Sequence, residues 1–352
     1  MILNVLFVLV GFVLLVKGGD FLIDGAVAIA RRAKLSAMVI GLTVVGFGTS
    51  TPELLVSAQA AWVGSSGIAI GNVAGSNIAN IALILGMTAL ICPLPSKRDM
   101  MRIDMPFMLL SMVGFVAAAY QGVIARWMGL VMVAMLVVFV GWEVRKSRKE
   151  EKRKEREKAE RAATASLQSG PEDGMEAATV LLHGEPVGEE GEKPVMALWK
   201  ALLLVVVSIG AMVWGSNLLV KGASGIAMEL GEVLGVSAQE MERIIGLTVV
   251  AVGTSLPELF ASVIAARKGE TDMAVGNIIG SVTFNILCVI GVSSAITPIR
   301  DAWSGWAMDY GLMVLLGALL WFFLWTKHRL ERWEGAVLLA MYVAFLGKTL
   351  MI

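Results

Sequence analysis

Residues 41–86 read GLTVVGFGTSTPELLVSAQAAWVGSSGIAIGNVAGSNIANIALILG, and residues 246–291 read GLTVVAVGTSLPELFASVIAARKGETDMAVGNIIGSVTFNILCVIG. At a constant offset of 205 positions, and without gaps, about half of the aligned residues are identical. The identities include Gly, Pro, Ser, Asn and Glu within stretches that are otherwise apolar. A shared hydrophobic composition would not keep these residues in register, so the chain contains an internal duplication.

The composition is that of a membrane protein. Of the 352 residues, 57% are hydrophobic and 16% are charged, and the mean hydropathy is +0.76. A soluble domain carries roughly a quarter charged residues. Apolar stretches long enough to cross a hydrocarbon core of about 30 Å follow one another along both halves. We predict an all-α polytopic membrane protein with ten transmembrane helices. The predicted spans are residues 2–29, 37–61, 67–91, 104–120, 125–143, 197–228, 240–265, 271–296, 303–325 and 334–350.

The spans fall into two groups of five. We predict a first membrane repeat over residues 1–143, a charged linker over 144–196 and a second membrane repeat over 197–352. The linker changes character along its length. The run from Arg145 to Arg161 mixes Lys, Arg and Glu and predicts a charged helix that continues the fifth span into water. From Ser166 onward the linker is rich in Gly, Pro and Glu, which is typical of disordered segments.

The distribution of Lys and Arg predicts the orientation. Basic residues follow the odd-numbered spans, as Arg31 and Arg32 follow the first and Lys97 and Arg98 follow the third, whereas connections after even-numbered spans are nearly bare. The positive-inside rule therefore places residues 144–196 in the cytoplasm and both termini outside, in a multi-pass protein of the cell (inner) membrane. Five spans per half force the second repeat to enter the membrane inverted. Inverted repeats are typical of secondary transporters, whose substrate site lies near the bilayer midplane.

The second and seventh spans each carry a proline followed by a glutamate. Pro52 and Pro257 remove a helical hydrogen bond and predict a break that frees nearby carbonyls. Glu53 and Glu258 would each cost about 2.5 kcal/mol or more in hydrocarbon, even on the lenient insertion scale. Because no Lys, Arg or His lies at their depth in the sequence, a bound cation or a proton is the remaining partner.

The third and eighth spans supply amide and hydroxyl oxygens opposite the glutamates. These side chains recur four residues apart, so they line one helical face in each span. They are Asn72, Ser76 and Asn80 in the third span, and Asn277, Ser281 and Asn285 in the eighth. Calcium takes about 6–8 oxygen ligands, and sodium is similar in size and hardness. The absence of Cys and His from this set argues against copper, zinc or iron.

The paired G-T-S-x-P-E and G-N-x-x-G-S-x-x-x-N segments resemble the two alpha repeats of the calcium/cation antiporter superfamily, and are most similar to its prokaryotic sodium/calcium exchanger branch. The resemblance covers essentially the whole chain and implies a central calcium site flanked by sodium sites, with sodium influx driving calcium extrusion. The ion-binding residues that it implies are Thr49, Ser50, Glu53, Ser76 and Asn80 in the first repeat, Thr254, Ser255, Glu258 and Ser281 in the second, and the carbonyls of Gly46 and Ala251.

One position departs from the family pattern. The last position of the second repeat is often Asp in sodium/calcium exchangers, and here it is Asn285. The predicted site therefore holds two carboxylates instead of three, which leaves a proton as an alternative counter-ion to sodium.

The expected function is secondary active exchange of calcium for sodium. The alternatives are a proton/calcium antiporter and, less favoured, a calcium-permeable channel. Channels usually have a symmetry axis along the membrane normal, whereas this repeat implies an axis in the membrane plane. No Ser-His pair, nucleotide loop or Walker-type sequence occurs. We therefore expect no enzymatic activity and no cofactor beyond the transported ions. The expected partners are calcium, sodium and the lipid bilayer, and no nucleic acid.

Overall fold

The computed structural model describes residues 2–168, 196–233, 251–300, 302–303 and 305–351. Within these ranges the chain is a bundle of helices. The helices are α1 (Ile2–Ala33), α2 (Ala37–Thr49), α3 (Thr51–Trp62), α4 (Ser66–Ile91), α5 (Met100–Tyr120), α6 (Arg126–Gln168), α7 (Leu198–Val233), α8 (Ala251–Gly253), α9 (Leu256–Arg267), α10 (Thr271–Ile296), α11 (Ala307–Lys327) and α12 (Arg332–Met351).

Two short antiparallel strand pairs join connections from the two halves of the chain. Strand β1 (Leu94–Pro95) pairs with β4 (Arg329–Leu330), and β2 (Val123–Ile124) pairs with β3 (Ile299–Arg300). Each pair links a connection of the first half to one of the second. The two halves are therefore tied together outside the helices as well as within the bundle.

The described helices confirm the membrane character of the chain. Seven of them are long and apolar enough to span a bilayer, namely α1, α4, α5, α6, α7, α10 and α11, and α2 with α3 passes as an eighth, bent span. The predicted seventh span, residues 240–265, begins outside the described residues, and its remainder forms α8 and α9. The predicted tenth span coincides with α12.

Helix α6 continues well past the predicted fifth span. It runs unbroken to Gln168 and so includes the charged run that the sequence predicted to be helical. The Ser36 amide donates a hydrogen bond of 2.8 Å to the Ser147 hydroxyl, so α6 still contacts the bundle beyond residue 143. The linker predicted to be disordered lies outside the described residues from position 169 to 195.

The predicted breaks occur at the same place in both repeats. A bend of 47° separates α2 from α3 at Ser50, whose φ and ψ are −84° and 6°. Ser255 has nearly the same conformation, with φ of −91° and ψ of 6°, immediately before α9. Pro52 and Pro257 each lie in the first turn of the following helix, where their missing N–H groups cost nothing. The duplicated sequence thus forms a duplicated break.

Helices α4 and α10 are the most buried spans, and each changes from α-helical to π-helical hydrogen bonding in its middle. The π-helical turns cover Ala79–Leu85 in α4 and Asn285–Ile290 in α10. Such turns are frequent at functional sites because they re-aim side chains without ending the helix. Here they begin at or next to Asn80 and Asn285, two of the predicted site residues.

Glycine allows backbones to meet where helices cross. A Cβ at Gly276 would lie 2.5 Å from the Met38 carbonyl oxygen, and one at Gly280 would overlap the Leu42 carbonyl. Helix α10 therefore packs directly on the backbone of α2. Helices α1 and α7 pack in the same way, because a Cβ at Gly11 would lie 2.5 Å from the Gly215 carbonyl oxygen. Small residues at crossings are the usual means of close helix association in membranes.

We predict that Gly280→Ala destabilises the protein by about 1–3 kcal/mol, because its methyl group would force α10 away from α2. The thermal unfolding midpoint of the purified protein should fall by several degrees. Gly114→Ala is the matched control, since Gly114 also lies within a helix and a Cβ there meets no described atom within 4 Å. Equal midpoints for both variants would contradict the close contact.

Candidate ion-binding site

The breaks place two glutamates at equivalent positions. Glu53 lies in the first turn of α3 and Glu258 in the first turn of α9, and their exposed fractions are 1% and 0%. The positive end of a helix dipole favours an anion at this position. No Lys, Arg or His forms an ion pair with either one among the described residues.

Each carboxylate accepts one hydrogen bond from a serine hydroxyl. Ser76 on α4 donates to Glu53 Oε1 over 3.5 Å, and Ser50 at the first break donates to Glu258 Oε1 over 3.1 Å. The second contact crosses from the first repeat to the second. The structure therefore brings the two predicted glutamates into one site that both halves of the chain build.

Two asparagines hold the backbone that carries the glutamates. Asn72 Nδ2 donates to the Glu53 carbonyl oxygen over 3.1 Å and to Ser57 Oγ over 2.8 Å. In the second repeat, Asn277 Nδ2 donates to the Glu258 carbonyl oxygen over 3.4 Å and to Ser262 Oγ over 2.9 Å. This duplicated contact fixes the start of α3 against α4 and the start of α9 against α10.

The carbonyl of Gly46, which the sequence predicted as an ion ligand, already accepts hydrogen bonds. It lies 3.1 Å from the Ser50 amide and 3.4 Å from the Ser281 hydroxyl. The Thr49 hydroxyl lies 3.1 Å from the Val45 carbonyl oxygen and 3.4 Å from the Gly46 carbonyl oxygen. Gly46, Thr49 and Ser281 thus form one hydrogen-bonded group at the first break.

The corresponding residues of the second repeat are placed less tightly. Thr254 lies in the turn between α8 and α9 and is half-buried, whereas Thr49 is buried. Ala251 is the first residue of α8 and follows directly on residues 234–250, which lie outside the described part of the chain. The break at Ser255 is preserved, and the Ser255 hydroxyl is buried.

Unsatisfied oxygens are concentrated among the predicted ion ligands. Among the described residues, eight buried side-chain oxygens have no hydrogen-bond partner, and five of them belong to residues predicted as ion ligands. The five are Glu53 Oε2, Glu258 Oε2, Asn80 Oδ1, Asn285 Oδ1 and Ser255 Oγ. A buried polar atom without a partner costs about 1–3 kcal/mol, and more when it is charged. Five such oxygens, two of them from carboxylates, form a donor set suited to a hard cation.

Sequence reasoning missed Asn77. The Asn285 amide nitrogen donates to Asn77 Oδ1 over 3.0 Å, and the Asn77 amide nitrogen lies 3.7 Å from the Met313 sulfur. With its nitrogen engaged in this way, Asn285 keeps its Oδ1 unpartnered. The internal repeat did not point to Asn77, because the equivalent position in the second repeat is Val282. The signal that the sequence offered was an amide side chain within an apolar span.

A second acidic pair lies outside the predicted set. Asp104 on α5 and Glu143 on α6 are both 4% exposed, and each keeps one carboxyl oxygen without a hydrogen-bond partner among the described residues. Both carboxyls lie on helices other than α3 and α9, which carry Glu53 and Glu258.

The family profile described as sodium/calcium exchanger protein matches residues 3–144 and 200–351. The chain belongs to the sodium/calcium exchanger family. The profile covers both membrane halves of this family member and omits most of the linker between them. It therefore includes both glutamates and both breaks.

Curated relatives match over nearly their whole length. This exchanger-family chain is 35% identical over 348 residues to the sodium/calcium exchanger MaX1 of Methanosarcina acetivorans, covering 97% of each protein. It is 32% identical over 348 residues to the inner membrane protein YrbG of Escherichia coli, covering 99% of this chain and 97% of that protein. Among solved structures, it is similar to the sodium-calcium exchanger NCX_Mj soaked with 2.5 mM Na+ and 0.1 mM Ca2+. That match has a TM-score of 0.73 and 28% identity, covering 99% of this chain and 98% of the other.

We predict that Asn77→Ala weakens calcium binding by about 5- to 10-fold, because it leaves the Asn285 amide unpaired and free to turn its oxygen away from the site. Isothermal titration calorimetry on the purified protein measures this change. Thr88→Val is the control, since Thr88 is a buried polar residue of the same helix whose hydroxyl donates to the Ile84 carbonyl one turn earlier. Unchanged affinity in Asn77→Ala would show that Asn77 does not position Asn285.

Proposed function

We propose that this chain is a secondary active antiporter that exchanges calcium for sodium across the cell membrane by alternating access. The observation that carries the proposal is the group of five buried, unpartnered oxygens that includes one from each of Glu53 and Glu258. Family membership and the similarity to MaX1 and NCX_Mj support it.

The charge of the site suits either cargo. Two ionised glutamates carry two negative charges, which one calcium ion or two sodium ions would neutralise. Each glutamate supplies one unpartnered oxygen, and the amide oxygens of Asn80 and Asn285 add neutral ligands. Because both ions need the same carboxylates, a full load of one excludes a full load of the other. This competition couples calcium movement in one direction to sodium movement in the other.

We propose that ten spans form two inverted five-helix repeats around this site, with residues 144–196 in the cytoplasm and both termini outside. The equivalent breaks at Ser50 and Ser255, and the equivalent contacts of Asn72 and Asn277, support the repeat relationship. Helices α1 and α7 then form the mobile unit. Their close packing on each other at Gly11 supports this role, because the two helices can move as one body against the rest.

The remaining ligands are proposed from the repeat. Thr49, Ser50, Ser76 and Ser281 lie against the glutamates or the Gly46 carbonyl, and Thr254, Ser255 and the Ala251 carbonyl hold the matching positions at the second break. A cation that enters the site would compete for the oxygens that these hydroxyls now contact. Occupancy would thereby change the contacts between α2, α9 and α10.

Asn285 is the residue that specifically supports the alternative of a proton/calcium antiporter. With an amide at this position the site has two carboxylates, so a proton on either glutamate would halve its charge. A proton/calcium antiporter could use this change as its coupling step. Sodium remains the favoured counter-ion, because the family profile, MaX1 and NCX_Mj are all described as sodium/calcium exchangers.

We predict that Glu53→Gln and Glu258→Gln each lower calcium uptake by about 100-fold or more, because removing one of two buried charges costs about 3–5 kcal/mol. Glu334→Gln is the matched control. Glu334 is another glutamate with 1% exposure, and it caps α12 by accepting a hydrogen bond of 2.8 Å from the Glu331 amide. It should retain wild-type uptake. Full calcium flux in either Glu53→Gln or Glu258→Gln would overturn the site assignment.

The counter-ion is tested with radioactive calcium uptake into proteoliposomes. Vesicles loaded with sodium and diluted into sodium-free buffer, with pH clamped on both sides, should accumulate calcium. Vesicles loaded with potassium provide the control and should not. Uptake that ignores sodium but follows an outward proton gradient would replace sodium by protons as the coupling ion.

A further inference from the structure

Two adjoining cavities lie where α5, α6 and α11 meet, away from the glutamates. The first is an apolar groove of about 760 Å³ between α5 and α6, and the second is a cavity of about 340 Å³ between the start of α5 and the end of α11. Arg102 lines both. We call the first the α5–α6 groove; it is lined mainly by Ile103, Phe107, Leu110, Val131, Met135 and Val138.

The groove has the length of one membrane leaflet. On α5 its lining runs from Arg102 to Leu110 and on α6 from Val131 to Trp142, which correspond to about 12 Å and about 16 Å at 1.5 Å per helical residue. Half of a hydrocarbon core of about 30 Å is about 15 Å. Phe107 and Phe139 stack with their centroids 3.8 Å apart between the two helices, so the apolar lining is continuous. An extended acyl chain fits these dimensions.

The mouth of the groove carries positive charge. Arg98 and Arg102 line the second cavity together with His328, and neither arginine forms an ion pair among the described residues. Asp99, which lies between them in the sequence, is bound by Lys146 over 3.1 Å; this hydrogen bond lowers the pKa of Asp99, and the charge of Arg102 lowers it further without an ion pair. Neither guanidinium group is bound directly by a carboxylate of the described residues, so both can take up an outside anion.

Two tryptophans line the same two cavities as the arginines. Trp142 lines the groove beside Arg102, and Trp325 lines the second cavity, with exposed fractions of 44% and 56%. Tryptophan collects at the membrane–water interface, where headgroups lie. The arginines therefore lie at headgroup level, and the groove extends from there into the hydrocarbon.

We propose that the α5–α6 groove is a binding site for an anionic phospholipid, with one acyl chain in the groove and the phosphate held by Arg98 and Arg102. Basic pockets between transmembrane helices at the membrane surface bind anionic headgroups. Planar guanidinium groups bind phosphate oxygens in pairs of hydrogen bonds. A zwitterionic headgroup would bring its own cation beside the two arginines, so phosphatidylglycerol binds in preference to phosphatidylcholine.

Native mass spectrometry of the full-length chain, in an equimolar mixture of phosphatidylglycerol and phosphatidylcholine, measures this preference. We expect wild type to retain phosphatidylglycerol selectively. The selectivity of the double variant Arg98→Gln/Arg102→Gln should be about 25-fold lower, at about 5-fold for each arginine near the surface. It should still hold a lipid of either kind, because the groove is unchanged.

The control for charge is Arg145→Gln/Arg148→Gln, which removes two exposed arginines of α6 that line neither cavity. It should keep the wild-type selectivity. An equal loss in both double variants would show a diffuse surface field in place of a site. Equal retention of the two lipids by wild type would also overturn the proposal.

The groove itself is tested by filling it. Ala134 lines the groove and is exposed, so Ala134→Phe should displace both lipids without disturbing the core. Val137→Phe is the matched control, because Val137 is 66% exposed on the same helix and does not line the groove. Thermal unfolding confirms that both variants are folded. Unchanged lipid retention in folded Ala134→Phe would exclude the groove as the site.

Discussion

The structure depends on burying two carboxylates that form no ion pair with a cationic side chain of the described residues. Glu53 and Glu258 are among the least exposed residues of the described chain, and each retains one oxygen without a hydrogen-bond partner. In hydrocarbon this arrangement is costly unless a cation or proton shares the site. The helix N-termini and the serine hydroxyls reduce that cost in part. Under the proposed function, the transported ion offsets the remainder and a competing ion displaces it.

The two repeats form a single site because their contacts cross. Ser50 of the first repeat donates to Glu258 of the second, and Asn285 of the second donates to Asn77 of the first. The two repeats also meet where α10 crosses α2, a close approach that Gly276 and Gly280 permit. A change of position of one half relative to the other would alter the Ser50–Glu258 and Asn77–Asn285 contacts together. That coupling is the physical basis on which alternating access can be built.

Sequence reasoning succeeded where chemistry is local to one segment. The breaks at Ser50 and Ser255 were predicted from Pro52 and Pro257, because a missing N–H acts within a few residues of its position. The helical continuation of the charged run beyond the fifth span was also predicted. Contacts between segments were less accessible. Asn77 was overlooked because its partner Asn285 is 208 positions away and its own repeat equivalent is apolar.

By itself the sequence determined that the chain is a duplicated membrane protein, where its helices break, and which carboxylates lie among apolar residues. This information comes from the composition, from the two prolines and from the matching positions of the internal repeat, all of which can be read along the chain. Only the tertiary structure decided which oxygens keep a partner. It showed the Gly46 carbonyl already hydrogen-bonded to Ser281, and it left the Asn285 oxygen unpartnered beside Asn77. Hydrogen-bond satisfaction is set by the distances between helices, and the packing of the two repeats against each other fixes those distances.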